Sequence, residues 1–379
     1  MPEMHGRPTV AEVSLAALRH NCRRVRELVG PGVSVLAVVK ADAYGHGAVP
    51  AARTFLEAGA AGLGVSSVAE AVELRRAGIA APVLVLGGAF PGDERDVVAH
   101  ELAVALWDAA RACALDAAAR AAGRVVPVHV KIDTGMTRLG LDVTAVAEFA
   151  ALVRDLPGLE VAGVFSHFAS ADAVDTAPAR AQAARFEAAV ETLAAAGVRP
   201  PLVHLANSAA VLSAPAAHFT MVRPGIMLYG YPPAPHLAAR AGVVPAMQLR
   251  TAIAQARRVS AGTPVSYAGT FVTSRPSTIA TLPVGYADGY HRLASNRAQA
   301  LVRGRRVPVA GRVCMDHTMI DVTDVPDARA GDRVVLFGDG VGADELAGWC
   351  DTIAYEVLTS VSRRVPRVYV EDFTPYPNR

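Results

Sequence analysis

Eight short apolar runs punctuate the chain at intervals: Val33–Val39, Gly62–Val65, Val83–Leu86, Ala103–Leu106, Val128–Ile132, Val161–Phe165, Val203–Leu205 and Met221–Ile226. Helix-like stretches such as Ala69–Arg76, Ala109–Ala122, Thr144–Arg154 and Ala179–Ala196 separate them. The runs are rich in β-branched residues and lack polar alternation, the pattern of strands buried on both faces of a parallel sheet. Parallel strands need long crossovers, and the helix-like stretches supply them. Eight such units close into a (β/α)8 TIM barrel, whose chemistry sits at the C-terminal ends of its strands. A doubly wound sheet also alternates β and α. The polar residues decide for the barrel, because they cluster at the run ends: Lys40, then Lys131 with Asp133, His167, Asn207 with Ser208, and Arg223.

The pattern changes after residue 231. Tyr231-Pro232-Pro233-Ala234-Pro235 suits neither a helix interior nor a central strand, so it reads as the exit from the barrel. From Ala246 onward, β-rich runs (Ser277–Pro283, Ala300–Val302, Arg306–Val309, Met319–Val322, Arg333–Phe337) are divided by Gly, Pro and Asp turns, with a short helix at Asp344–Cys350. At 379 residues the chain exceeds what one core usually holds, ~250–300 residues. The expected division is a barrel domain over 1–237 and a mostly β domain over 238–379. The N-terminus begins with a strand at Thr9–Val13, and Ser14 caps a helix at Leu15–Val29; the first ~10 residues are expected to pack on the β domain.

Several function classes are disfavoured. The net charge is +2, and the arginine runs at Arg303–Arg306 and Arg363-Arg364 are short and interrupted, which suits solvated strand edges better than a nucleic-acid face. Cys22, Cys113, Cys314 and Cys350 form no CxxC pair, so neither a metal centre nor a disulfide framework is expected. No apolar run approaches ~18 residues and Met1–Val10 has no apolar leader core, so the expectation is a soluble cytoplasmic protein without a membrane partner.

The chemistry centres on Lys40. A lysine at the end of an apolar strand sits partly desolvated, where its amine sheds its proton and becomes nucleophilic enough for a Schiff base. Taken alone, such a lysine is more often the solvated end of a core strand, and its neighbours change that reading. Tyr44 adds a phenol beside the glycine-punctuated loop that follows, and Ser208, Gly225 and Ile226 lie in the loops after the last two strands, where barrels commonly bind phosphate.

The run VVKADAYGHG around Lys40 resembles the cofactor-lysine segment of alanine racemases, and the resemblance continues in order through VHVKIDTGMTRLG, VFSHFASAD, HLANSAA, MVRPGIMLYG, VSYAGTF, PVGYADGY and GRVCMDHTMID. It spans nearly the whole chain. The resemblance implies a dimer with shared active sites that interconverts L- and D-alanine on pyridoxal 5'-phosphate (PLP), providing D-alanine for peptidoglycan. It assigns PLP to Lys40, its phosphate to Tyr44, Ser208, Gly225, Ile226 and Tyr355 beside Asn207, its ring nitrogen to Arg223, and a place beside the ring to His167. An arginine keeps its proton, so it leaves the ring nitrogen unprotonated and limits side reactions.

Racemisation needs a second base on the opposite face of the cofactor, because one base returns the proton to the side it came from. Tyr267, supplied by the second subunit, matches that base, and Arg138 matches the cation that makes a phenol effective near neutral pH. By the same resemblance Lys131 is a possible site of carbamylation, the lesser alternative being an ordinary strand-end lysine paired with Asp133. Cys314, Met315 and Asp316 match the segment near the substrate carboxylate, with Cys314 not a nucleophile, and Tyr286 matches a residue that narrows the entrance. His317 departs from the Gln common in relatives. The rivals are a racemase of alanine and serine, a PLP-dependent decarboxylase, which usually places an acid at the ring nitrogen, and a PLP-binding barrel, which lacks the C-terminal domain.

Overall fold

The computed structural model describes residues 6–373. It contains two compact units: residues 18–43 with 48–244, and residues 6–17, 44–47 and 245–373. The chain opens on β1 (Val10–Ser14), which belongs to the second unit, and Ser14 Oγ then accepts the Ala17 N–H at 3.0 Å to cap the helix Leu15–Val29.

The first unit is built on a parallel sheet of β2 (Ser34–Val38), β3 (Gly62–Val65), β4 (Val83–Val85), β5 (Ala103–Leu106), β6 (Val126–Lys131), β7 (Leu159–Phe165), β8 (Leu202–His204) and β9 (Met221–Val222). Its order is β8-β7-β6-β5-β4-β3-β2-β9. Three hydrogen bonds bring the ends together: Thr220 N–H to Val203 O (3.1 Å), Val203 N–H to Thr220 Oγ1 (2.7 Å) and Arg223 N–H to Ala206 O (2.9 Å). The eight expected strands are present, with one correction. The last was expected over Met221–Ile226 but pairs only at Met221 and Val222. Pro224 has no N–H to give the ladder, and the chain turns through Gly225 into a tight helical turn at Ile226–Tyr229.

One end of the barrel interior is apolar, where Leu36, Leu84 and Met221 pack with Leu86, Ala103 and Leu202. Another layer is aromatic and polar. The His204 ring stacks on Phe165 (4.9 Å between centroids, 2° between planes) and meets His129 edge-on at 5.0 Å. Gly163 on β7 makes room for this layer, since a Cβ there would stand 2.3 Å from His129 Nδ1.

The second unit is mostly β. Strands β10 (Met247–Ala252), β11 (Gln255–Val259), β12 (Pro264–Val265), β13 (Phe271–Val272), β14 (Ser277–Leu282), β15 (Gln299–Val302), β16 (Arg305–Pro308), β17 (Thr318–Asp321), β18 (Arg333–Phe337) and β19 (Arg367–Val370) follow in order. A six-stranded sheet runs β16-β15-β18-β10-β1-β19, a three-stranded one β11-β14-β17, and β12 pairs with β13. The N-terminal strand is interior to the larger sheet, antiparallel to β10 and parallel to β19. Helices Ala343–Trp349 and Ala354–Ser360 complete the unit. Among the described residues, no helix is long and apolar enough to cross a membrane.

A Gly163→Ala substitution forces the His129 ring aside in a closed layer, which costs about 1–3 kcal/mol. A lower midpoint of chemical unfolding is expected, and a further His129→Ala change should recover part of it. Unchanged stability in the single variant would contradict this packing.

Candidate active site

Lys40 follows directly on Val39, at the C-terminal end of β2. The next four residues, Ala41, Asp42, Ala43 and Tyr44, all have φ of 53°, so the chain makes a left-handed turn without a glycine in it. Glu70 Oε1 accepts the Ala41 N–H (2.7 Å), and Asp42 Oδ1 accepts the Ala48 N–H (2.7 Å) where the next helix, Ala48–Glu57, begins. Burial, followed by the Arg138 charge, lowers the Lys40 pKa; Glu70 opposes them. A lowered pKa gives the amine a larger neutral, nucleophilic fraction.

Arg223 is buried at 4% exposure, and no carboxylate neutralises it among the described residues. Its Nη1 donates to His204 Nδ1 (2.8 Å) and His204 O (2.9 Å), and its Nη2 to Ser166 O (2.6 Å), Leu205 O (3.2 Å) and His167 Nδ1 (3.3 Å). A guanidinium only donates. His204 Nδ1 therefore accepts, its Nε2 carries the proton, and that N–H donates to His129 Nδ1 at 2.8 Å. The whole chain of rings is thus fixed as neutral tautomers by one cation. Burial and Arg223 hold His204 well below the usual histidine range and His129 down to about 4. His167 is likewise held low, first by burial and then by Arg223. Among the described residues the Nε–H is the one donor group of Arg223 without an acceptor.

Lys131 ends β6 and is buried. Its Nζ lies 5.2 Å from the Phe165 ring centre and 6.0 Å from that of Trp107. Burial and the cations Arg138, Arg223 and Lys40 pull it down to about 8. Asp133 is not its ion-pair partner among the described residues. Its Oδ1 accepts instead from the N–H groups of Gly135 (2.8 Å), Met136 (3.0 Å) and Thr137 (3.1 Å), which shapes the loop that carries Arg138. Lys131, Arg138 and His167 line one small pocket with Met136 and Ser166.

At the ends of β8 and β9, Asn207 caps the short helix Ser208–Ser213 through the Ala210 N–H (3.1 Å). The buried Ser208 Oγ accepts from Gly225 N–H (2.9 Å) and Met227 N–H (3.4 Å), so its own proton is free to point elsewhere. Ile226 begins the helical turn beside it.

The remaining candidates lie in the second unit. Tyr44 and Tyr355 stand together, their ring centres 6.0 Å apart, and burial with Tyr355 raises the Tyr44 phenol. Gly45 lets the chain pass the Leu358 carbonyl, where a Cβ would come within 2.3 Å of the oxygen. Tyr267 is 71% exposed, between Ser266 and Ala268 at φ of 65° and 61°. Ser266 Oγ donates to Arg312 O (2.7 Å) and stands 3.5 Å from Cys314 Sγ. Tyr286 and Ala287 donate their N–H groups to the carbonyls of Cys314 (3.0 Å) and Met315 (3.1 Å), which ties this turn to the 314–316 segment. The Arg364 guanidinium joins Asp316 (2.7 Å) to the buried Asp288 (3.1 Å). Glu70, His204, His129, Asp288 and Arg364 escaped the sequence reading, since each acts through another residue and no local spacing marks it. Among the described residues, no three His, Cys, Asp or Glu side chains are grouped to hold a metal.

The model of the alanine racemase N-terminal domain matches residues 13–233, and that of the C-terminal domain matches 246–369. The chain is 49% identical to the alanine racemase of Symbiobacterium thermophilum over 367 residues, covering 96% of this chain and 97% of that protein. It is 46% identical to that of Desulfovibrio desulfuricans over 366 residues, with 96% and 99% covered. Among solved structures, alanine racemase from D-cycloserine producing Streptomyces lavendulae superposes with a TM-score of 0.92 at 39% identity, covering 97% of this chain and 98% of that one. The Bacillus anthracis alanine racemase with bound L-Ala-P gives 0.90 at 37% identity, with 97% and 96% covered. On both domains and over nearly its full length, this chain belongs to the alanine racemase family.

Proposed function

We propose that the chain interconverts L- and D-alanine, with PLP on Lys40 and a second base, Tyr267, supplied by a second copy of the chain. The observation that carries this reading is the unused Nε–H of a buried Arg223 whose other donors are all engaged by neutral acceptors. A pyridine nitrogen is a neutral acceptor of the same kind, so the residues fit PLP. Ser208 with the backbone at Gly225 and Ile226, and the phenols of Tyr44 and Tyr355, supply hydroxyl and amide donors of the kind a phosphate takes. When bound, PLP supplies an electron sink for the charge left as the α-proton of an amino acid departs.

The protein's own groups set the outcome. Arg223 donates to the ring nitrogen without giving up its proton, which keeps the sink weak enough to favour return of the α-proton over side reactions. Lys40 Nζ, lowered by burial and Arg138, takes and returns the proton on one face, that of D-alanine. Tyr267 does so on the other, that of L-alanine. Its exposure, with Met315 at 53% and Tyr286 at 41%, leaves an apolar and aromatic surface for a second copy to cover, and Arg138 is the cation proposed to stabilise the phenolate. Tyr286 narrows the entrance, and the Met315 backbone beside Cys314 and Asp316 meets the substrate carboxylate. The four cysteines are free thiols, which suits a reducing cytosol, where D-alanine is available for peptidoglycan synthesis.

Tyr267→Phe should retain PLP absorbance and the dimer while racemisation from L-alanine falls about 10²–10⁴-fold; full activity in that variant would exclude Tyr267 as the second base. Lys131 is proposed to carry a carbamate, which turns a crowded cation into an anion facing Arg138. Only the neutral amine adds carbon dioxide, so the adduct, followed by ¹³C NMR under labelled bicarbonate, should grow as pH rises through about 8. No adduct above that pH would contradict the assignment.

A further inference from the structure

We propose that Glu70 is a positioning residue for Lys40, its carboxylate strapping the left-handed turn after the lysine to the end of the neighbouring barrel strand. The inference rests on the reading of Lys40 as the PLP lysine. Four consecutive non-glycine residues at φ of 53° are costly and persist only where the surroundings hold them. Glu70 is the third residue of the helix Val68–Arg76, whose cap is Ser67, and a glutamate there ordinarily reaches back to the cap N–H alone. Here one oxygen does that work, accepting from Ser66 N–H (2.6 Å) and Ser67 N–H (3.3 Å). The other leaves the helix and accepts from Ala41 N–H at 2.7 Å. Capping does not require that second bond. Its effect is to fix the peptide that follows Lys40, and with it the direction in which the side chain leaves the barrel rim.

The charge has a second consequence. Burial and the Arg138 charge disfavour an ammonium at Lys40, whereas Glu70 favours one. Asp42, on the turn itself, is engaged by the Ala48 N–H. Removing the Glu70 charge therefore makes Lys40 lose its proton at a lower pH.

The test strips PLP from the purified protein and titrates it back across pH, following visible absorbance, with borohydride reduction and peptide mapping to identify the labelled lysine. Glu70→Gln should weaken PLP uptake about tenfold or more, the loss of one charge-assisted hydrogen bond, and move the pH midpoint of uptake downward. Ser67→Ala, which removes the helix cap but leaves the strap, should change neither. Glu70→Asp, which keeps the charge but is too short to span both sides, should weaken uptake with the midpoint in place, and it decides the matter if Glu70→Gln fails to fold. Equal losses in Ser67→Ala and Glu70→Gln, or an unchanged affinity and midpoint in Glu70→Gln, would overturn the proposal. Labelling of another lysine in the parent protein would overturn the assignment of Lys40 and the inference with it.

Discussion

A single buried guanidinium governs the barrel interior. Arg223 enters the protein without a carboxylate to neutralise it, surrounded by three backbone carbonyls and two imidazoles. A cation in such a place survives because arginine does not give up its proton and because every donor of its two amino groups is satisfied. The consequences spread outward. His204 has to accept, so its other nitrogen has to donate, and His129 is fixed in turn. Protonating any of these rings would set a second positive charge against the first. An acid in place of Arg223 would reverse the whole arrangement, which is why one residue at the end of the eighth strand carries so much of the chemical argument.

The second constraint is the crowding of positive charge at the barrel rim. Arg138 disfavours the charged forms of Lys40, Lys131 and Arg223, and Lys131, which burial, Arg223 and Lys40 also oppose, is driven down to about 8. Such a site is suited to anions and to amines that act as nucleophiles or bases. Asp133 opposes the crowding at Lys131 only weakly, with its Oδ1 accepting from the loop N–H groups at residues 135–137. Glu70 relieves it in part, while also holding a turn the chain would not otherwise adopt.

The barrel was legible because its signal is periodic: apolar runs such as Gly62–Val65 and Ala103–Leu106 coincide with strands residue for residue. The eighth run misled by its length, since Met221–Ile226 looks continuous until Pro224 is considered as a missing donor. In the second unit, Gln255–Val259 carries three polar residues in five, and Arg367–Val370 joins β1 across the length of the chain. Neither has a local pattern to announce it. The candidate residues themselves were legible through the family's motifs, and the glycines of the YGHG run have a physical cause in the close approach of Leu358 and Tyr369. The residues that orient them were not. Glu70 reads as a helix cap, and His204 as an ordinary strand-end histidine, until three-dimensional distances connect them to Lys40 and Arg223.

The most direct test of the central claim uses the purified protein with PLP in deuterated water, starting separately from L-alanine and from D-alanine, and follows optical rotation, α-deuterium and carbon dioxide together. The account predicts inversion from either enantiomer with deuterium at the α-carbon and no carbon dioxide. Carbon dioxide release without inversion, or no reaction with either enantiomer, would contradict it.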